Sequence, residues 1–344
     1  MRAQFKPHIL EFKRASGTSR GILNTKETWL LKLENQDKVG YGECAVFRGL
    51  SIDDLPDYED KLNWLVDHIN LEPSYVLGQL RAYPSIQFGY ETALRSFNSI
   101  DPFELYPSKF TSGKAAIPIN GLVWMGDFDF MRTQIIDKIE EGFSCIKLKI
   151  GANDFNQELE LLSQIRHEFN GAALELRVDA NGAFAPEEAL DKLKRLSEFD
   201  LHSIEQPIRP GQWGEMAKLC ELSPLAIALD EELIGVFDYD EKKRLLEVIK
   251  PQYIILKPAL VGGFGGSEEW IKLANEQDIG WWNTSALESN IGLNAIAQWT
   301  FNLNTTMTQG LGTGDLFTNN FKSPLAVKNG TLQFCTNQVW DFNF

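Results

Sequence analysis

Cysteine and histidine are scarce in this chain, and the few present are widely scattered. Four residues of each type occur among 344. The cysteines form no CxxC pair, and no spacing among cysteines and histidines matches a zinc site. Dispersed cysteines are typical of reduced, buried thiols in a cytoplasmic protein. The sequence therefore argues against a disulfide-stabilised secreted domain and against a histidine-based metal centre.

Long apolar runs are lacking as well. No window approaches the roughly 18 apolar residues of a membrane span. The first residues, MRAQFKPHILEFKRASG, do not contain the unbroken apolar stretch of about 7–15 residues that marks a secretory signal. We therefore expect no membrane partner, and we expect the protein to be located in the cytoplasm.

Positive charge is in deficit, with a formal net charge of -15 at pH 7. An acidic surface repels phosphate backbones, which argues against nucleic acid as a partner. Hydrophobic residues make up 43% of the chain and charged residues 24%, as in an ordinary globular protein with a large core. These bulk properties leave the oligomeric state open.

The pattern of apolar residues changes near residue 115. Before it, alternation in ILEFKRA and WLLKLEN is followed by helical spacing in PSIQFGYETALRSF, which predicts an α+β domain over residues 1–114. After it, eight short apolar runs, from AIPING to TQGLGTGDLF, alternate with amphipathic helical stretches. Repeated βα units imply a parallel sheet, and this many favour a closed barrel. We predict an α/β fold with a TIM-like (β/α) barrel over 115–321, and a hairpin in 322–344 that completes the first domain.

Five ionisable residues lie at the ends of successive predicted strands. Their separations along the chain are 30, 26, 25 and 27 residues, for Lys149, Asp179, Glu205, Asp230 and Lys257. One βα unit has about this length, because eight units occupy roughly 250 residues. Each residue therefore holds an equivalent place on its strand. In a closed barrel these places converge at the C-terminal mouth, where barrel enzymes carry out their chemistry.

Three carboxylates that converge repel one another, and a divalent cation offsets that repulsion. An all-oxygen ligand set suits a hard ion such as Mg²⁺, with Mn²⁺ as a substitute. A lysine beside a cation is pushed toward its neutral form and can remove a proton α to a carboxylate. A second lysine that stays protonated stabilises the resulting enediolate together with the metal. The pattern thus predicts an enzyme for a small-molecule carboxylate substrate.

Lys147 lies two residues before Lys149, so both side chains point to the same face of the strand. Two interpretations stay open for it. It tunes Lys149 by like-charge repulsion and contacts the substrate carboxylate, or it forms a structural ion pair.

Five motifs together resemble the muconate-lactonizing-enzyme subgroup of the enolase superfamily: KLK at 147–149, RVDAN at 177–181, IEQP at 204–207, LDEE at 229–232 and LKPALVGG at 256–263. The resemblance implies a modified, enolase-type barrel under an N-terminal capping domain. It also implies Lys149 as the base, Lys257 opposite it, and Asn181 and Glu231 as polar neighbours of the ligands. The implied metal ligands are Asp179, Glu205 and Asp230, although the three consecutive acids of LDEE leave the last choice open.

Two motifs in the C-terminal part of the barrel narrow the range of reactions expected within this subgroup. SALESNIG at 285–292 and GLGTGDLF at 310–317 resemble the dehydratases of this subgroup, whereas its dipeptide epimerases carry an Asp-x-Asp motif at the eighth strand. The resemblance implies that Ser285 and the backbone around Gly262, Gly263 and Gly312 bind a second substrate carboxylate. Turn formation by the glycines and packing of the Ser285 hydroxyl are the structural alternatives.

Two loops of the first domain, residues 17–21 and 45–51, fit the role of a lid. Arg20 and Arg48 are candidate contacts for a substrate carboxylate, and a surface charge is the equal alternative for each. The expected enzyme is a hydro-lyase that works through an enediolate. A racemase, epimerase or muconate cycloisomerase of the same superfamily is the first alternative. A non-catalytic, metal-binding barrel is the second.

Overall fold

An antiparallel sheet begins the chain in the computed structural model, which describes residues 1–18 and 21–344. Its strands lie in the order β1-β2-β3, with β1 at Arg2–Thr18, β2 at Gly21–Glu34 and β3 at Val39–Cys44. Three helices follow: α1 at Tyr58–Asp67, α2 at Pro73–Gln79 and α3 at Pro84–Asn98. Both α2 and α3 begin with proline, which suits the first helical turn because no N–H is needed there. Buried side chains of the sheet and helices form one apolar core, so this part folds as an α+β domain.

The short strand β4 (Ile117–Pro118) leads into a parallel sheet of seven strands in sequential order. Its strands are β5 at Gly121–Val123, β6 at Cys145–Lys149, β7 at Glu175–Asp179, β8 at Ser203–Glu205, β9 at Ile227–Leu229, β10 at Tyr253–Leu256 and β11 at Gly280–Asn283. Residues of these strands are mostly buried on both faces, as their near-continuous apolar sequences predict.

Helices cover the outside of the parallel sheet. They are α4 at Phe128–Glu140, α5 at Phe155–Glu168, α6 at Pro186–Ser197, α7 at Trp213–Leu222, α8 at Tyr239–Ile249, α9 at Pro258–Val261, α10 at Gly263–Glu276 and α11 at Asn290–Asn302. A 3-10 turn at Glu231–Leu233 follows β9. In the described part of the chain, every helix is too short or too polar to cross a membrane.

The sheet closes into a barrel through a segment with little regular structure. Gln309 accepts a hydrogen bond from the Asn120 N–H (2.9 Å), and the Gly310 N–H donates to the Asn283 carbonyl (2.8 Å). The TIM-like α/β fold predicted from the sequence is thereby confirmed. The prediction of a regular eighth strand is wrong, because this segment forms only isolated bridges, at Gln309 and Gly310. Glycine permits the close approach, since a Cβ on Gly310 would lie 2.3 Å from Thr284 Oγ1.

The C-terminal segment forms the hairpin β12 (Leu325–Lys328) and β13 (Thr331–Phe334), which pairs with β4. The predicted strand AIPING is thus divided, since its first part pairs with the hairpin and the barrel strand begins at Gly121. The last residues contact the N-terminal domain, where Phe342 packs edge-on against Tyr41 with ring centroids 4.8 Å apart. The boundaries 1–114, 115–321 and 322–344 stay a prediction.

Candidate active site

The ionisable residues predicted from strand spacing gather at the carboxyl ends of the parallel strands. Lys149, Asp179 and Glu205 are Cα partners across β6, β7 and β8, so they share one register. Glu205 pairs with Ala228, which places Asp230 two residues further along its strand. Lys257 directly follows β10. A step of two residues keeps a side chain on the same face, so the stagger of the strands preserves the cluster.

The lysines and acids of this cluster form two sets of buried ion pairs. Lys147 Nζ lies 2.8 Å from Glu205 Oε2 and 3.2 Å from Asp179 Oδ2. Lys149 Nζ lies 2.5 Å from the same Asp179 oxygen. Lys257 pairs with Asp230 on the opposite side. The side chains of the three acids are at most 2% exposed and those of the three lysines at most 14%. The structure therefore brings all five predicted residues, and Lys147, to one place.

The electrostatics of the acids differ because their neighbours differ. Burial alone raises the pKa of Asp179, but the charges of Lys149 and Lys147 outweigh it and hold that pKa well below its usual range. Burial and the negative charge of Asp179 raise the pKa of Glu205 well above its usual range. Burial lowers the pKa of Lys257, but the carboxylates of Asp230 and Glu205 outweigh it and raise that pKa. Glu205 is thus the acid least compensated by the chain's own cations.

The contacts of the three acids bear on whether this cluster could hold a cation. Glu205 Oε1 is buried and has no hydrogen-bond partner within residues 1–18 and 21–344. In that same part of the chain, no three His, Cys, Asp or Glu side chains are arranged to ligate one ion as they stand. Ammonium groups of lysines contact the carboxylates instead. A buried carboxylate oxygen without a partner, beside two further acids, fits the chemistry of a divalent cation.

Within the LDEE motif the three acids have separate contacts. Asp230 faces Lys257. Glu231 accepts a hydrogen bond from Asn181 Nδ2 (3.0 Å), and Asn181 Oδ1 accepts one from Lys149 Nζ (2.8 Å). Glu232 points elsewhere, because it accepts hydrogen bonds from Gln206 and from the Gly211 N–H. These contacts favour Asp230 as the acid of the cluster, with Asn181 and Glu231 as the neighbours that orient Lys149.

A cavity of about 730 Å³, part of it open to solvent, lies against the lysines. Its polar lining comprises Asn120, Lys147, Lys149, Asn181, Lys257, Thr284, Ser285 and Thr313, with the glycines Gly310 and Gly312. The apolar lining includes Leu23, Phe47 and Leu50 from the N-terminal domain, and Leu122, Trp124 and Leu260 from the barrel. The 45–51 loop therefore borders the site, as expected of a lid.

Asn120, Thr284 and Thr313 were missed by the sequence reasoning. Thr284 directly follows β11, so it occupies a strand-end position like those of the charged residues, whereas Asn120 lies within the predicted strand AIPING and just before β5. That position was the available signal, but a neutral side chain at a strand end is much less distinctive than a charge. Thr313 lies beside Gly312 in the GLGTGDLF motif, which was the available signal for it.

Two of the predicted substrate contacts have other neighbours in the structure. Gly262 and Gly263 do not line the cavity. The Gly262 N–H donates to the Pro258 carbonyl at the end of α9, and Gly263 packs against Glu91 of α3. The backbone of these glycines therefore serves helix packing.

Ser285 and Gly312 do line the cavity, but the Ser285 hydroxyl has other partners. Its Oγ lies 2.6 Å from Glu288 Oε2, to which it donates, and accepts a hydrogen bond from the Leu287 N–H. Arg48 forms ion pairs with Glu27 and Asp54. Arg20 lies outside the described residues.

A family comparison agrees with this arrangement. The family described as "Enolase C-terminal domain-like" matches residues 131–338, which include the strands that carry all five charged residues. The chain belongs to the enolase superfamily.

Individual relatives narrow the comparison further. An o-succinylbenzoate synthase from Desulfotalea psychrophila is 47% identical, with 96% of this chain and 98% of the relative aligned. The crystal structure of MenC from Desulfotalea psychrophila superposes with a TM-score of 0.87 at 44% identity, over 97% of this chain and 99% of that one. The L-Ala-D/L-Glu epimerase from Bacillus subtilis reaches a TM-score of 0.83 at 17% identity, over 97% and 96%, which shows a shared fold.

Proposed function

We propose that this protein is an o-succinylbenzoate synthase of menaquinone biosynthesis, located in the cytoplasm. Its reaction would be the Mg²⁺-dependent dehydration of 2-succinyl-6-hydroxy-2,4-cyclohexadiene-1-carboxylate to o-succinylbenzoate. The observation that carries the proposal is the placement of Lys149 and Lys257 on opposite sides of three buried acids at one cavity. Near-full-length similarity to a synthase of this name supports the choice of reaction.

Lys149 is proposed as the base. Its Nζ removes the proton from the ring carbon α to the carboxylate, and the electron pair of that C–H bond moves into the carboxylate to give an enediolate. Asn181 holds the Lys149 ammonium from the side, at 2.8 Å, and is itself fixed by Glu231. This chain of contacts limits the directions in which the lysine can point.

Lys257 is proposed to stay protonated and to stabilise the enediolate across the site. The pKa of Lys257 is raised by Asp230 and Glu205, which suits a lysine that keeps its charge. Asp179, Glu205 and Asp230 would hold Mg²⁺, which supplies positive charge to the developing oxyanions when bound. The electron pair then returns to form the new ring double bond as the C–O bond breaks, and the hydroxide takes the proton back from Lys149. The products are water and an aromatic ring.

The lining of the cavity suits this substrate. Phe47, Leu50 and Leu23 cover the site from the N-terminal domain with apolar surface, which limits the access of water to the enediolate. Polar groups of Thr284, Thr313 and Asn120 line the cavity, where they can meet a second carboxylate.

The test is to supply the cyclohexadiene substrate with Mg²⁺ and to follow o-succinylbenzoate by its ultraviolet absorbance. We expect conversion at enzymatic rates. N-succinylamino acids, dipeptides and muconate serve as comparison substrates, and α-hydrogen exchange in deuterated water reports racemisation. Efficient turnover of a comparison substrate, with none of the cyclohexadiene, would replace the proposed reaction by another of the superfamily. No turnover of any of them would favour a non-catalytic barrel.

A further inference from the structure

A carboxylate of the N-terminal domain contacts the start of α10, six residues after Lys257. Glu91, on α3, accepts hydrogen bonds from the Phe264 N–H (2.5 Å) and the Gly265 N–H (3.4 Å) at the start of α10. The first turn of a helix presents unsatisfied N–H groups and a partial positive charge, so an anion there is stabilised. Burial nevertheless raises the pKa of Glu91 to about 7. The contact thus joins the two domains at a buried position.

The paired glycines of LKPALVGG are explained by this contact. Gly262 and Gly263 both have positive φ, at 96° and 72°, a backbone conformation that glycine adopts without strain. A Cβ on Gly263 would lie 2.2 Å from Glu91 Oε2. Any side chain there would therefore displace the carboxylate. The motif gives Glu91 access to the helix terminus.

A short, rigid spacer connects this joint to Lys257. Helix α9 has four residues and begins immediately after Lys257. The Leu260 and Val261 N–H groups donate to the Lys257 carbonyl, at 2.7 and 3.2 Å, and the Gly262 N–H closes the last turn. All four residues of α9 are buried. A shift at the start of α10 is therefore transmitted to the backbone of Lys257 over one helical turn.

We propose that Glu91 is a positioning residue for Lys257: the N-terminal domain sets the place of this lysine through the Glu91 contact with the start of α10. This inference rests on the role proposed above for Lys257. A side chain that meets the substrate only at its ammonium group is sensitive to small displacements, because a misplacement of about 1 Å can cost about 100-fold in rate. Glu91 itself does not line the cavity.

The chain offers a matched control in Asp238. Its carboxylate also accepts hydrogen bonds at a helix N-terminus, from the Asp240 and Glu241 N–H groups of α8 at 3.0 and 3.2 Å. It also joins the domains, since Arg81 lies 3.3 Å from it. Helix α8 precedes β10, so Asp238 has no comparable connection to Lys257. Glu91→Gln and Asp238→Asn therefore remove the negative charge of a carboxylate at a helix N-terminus in two places.

The experiment measures kcat, KM and the Mg²⁺ dissociation constant of both variants and of the wild type. We expect Glu91→Gln to lower kcat about tenfold, within the range for a small misplacement, with KM and the Mg²⁺ constant within about twofold of wild type. Asp238→Asn should leave kcat unchanged. Wild-type kcat in Glu91→Gln, or equal losses of kcat in both variants, would overturn the inference. Lack of turnover by the wild type would instead refute the proposed function.

Gly265→Ala provides a milder second variant in case Glu91→Gln folds poorly. A Cβ at this position would lie 3.2 Å from Glu91 Oε1, so it crowds the carboxylate without removing it. The expected result is a severalfold lower kcat at unchanged KM. An unchanged kcat in a folded Gly265→Ala protein that displaces the carboxylate would contradict the positioning role.

Discussion

Replacement of Lys147 by Met removes a cation that is shared between two buried acids. Lys147 Nζ contacts Glu205 at 2.8 Å and Asp179 at 3.2 Å, and neither acid is more than 2% exposed. Methionine fills similar space, so the main change is electrostatic. Removing one partner of a buried ion pair costs about 3–5 kcal/mol, because the other charge stays buried and uncompensated. We expect a loss of about this size in the free energy of unfolding when EDTA is present.

Added Mg²⁺ should change that result. In the wild type, the Lys147 ammonium and a divalent cation compete for the same carboxylates. Lys147→Met is therefore expected to bind Mg²⁺ more tightly than the wild type does. Each tenfold gain in affinity adds about 1.4 kcal/mol to the stabilisation by saturating Mg²⁺. Urea unfolding with EDTA and with Mg²⁺ measures both effects.

Lys242→Met is the control for this prediction. Lys242 is also buried, but it contacts Glu269 (2.8 Å) and the Gly266 carbonyl (3.0 Å), away from the three acids. Its loss should lower stability equally with and without Mg²⁺. The reasoning is refuted if Lys147→Met unfolds like the wild type in EDTA. It is also refuted if Mg²⁺ stabilises Lys147→Met no more than it stabilises the wild type.

Two further predictions concern the lysines and Glu91. Lys149→Ala and Lys257→Ala should each abolish turnover, because the first removes the base and the second removes the opposing cation. Calorimetric titration should still detect Mg²⁺ binding to both variants. Wild-type rates in either variant would contradict the assigned roles. Burial raises the pKa of Glu91 from 4.5 to about 7. Between pH 4.5 and pH 7 the folded chain therefore keeps a proton on Glu91 that the unfolded chain has lost. The stability of the wild type falls as the pH rises through this range. One pKa unit corresponds to about 1.36 kcal/mol. When the pH is raised from 5 to 8, the free energy of unfolding of Glu91→Gln should therefore increase by about 2.5 kcal/mol relative to that of the wild type. A difference in unfolding free energy that does not vary with pH would show that Glu91 does not titrate in this way.

The placement of the charged residues was predictable from the sequence because βα units have a nearly constant length. Residues that are regularly spaced along the chain therefore occupy equivalent positions on successive strands. Lys149, Asp179 and Glu205 share one register in the structure. The stagger at Asp230 and Lys257 was not predictable, since it depends on how the strands tilt when the sheet closes. The choice of Asp230 within LDEE came from a resemblance, and the separate contacts of Glu231 and Glu232 support it.

The contacts that the sequence did not indicate are mostly those between distant parts of the chain. Gly262 and Gly263 were assigned to substrate because nothing nearby in sequence identifies Glu91, which precedes Phe264 by 173 residues. Arg48 was considered a substrate contact, but its pairing with Glu27 follows from the fold of the antiparallel sheet. Packing of the Ser285 hydroxyl is one of the two alternatives that the sequence leaves open, and the hydrogen bond to Glu288, three residues later, favours it. That last contact is local and was within reach of the sequence.

The proposed role of the metal in the acid and lysine cluster is tested most directly by removing and restoring Mg²⁺ while o-succinylbenzoate formation is followed. Protein treated with EDTA should retain its fold and lose turnover. Addition of Mg²⁺ in excess over EDTA should restore the rate, and Glu205→Gln should respond much more weakly because one carboxylate of the cluster is gone. Full turnover in EDTA, or complete restoration by Mg²⁺ in Glu205→Gln, would contradict the account.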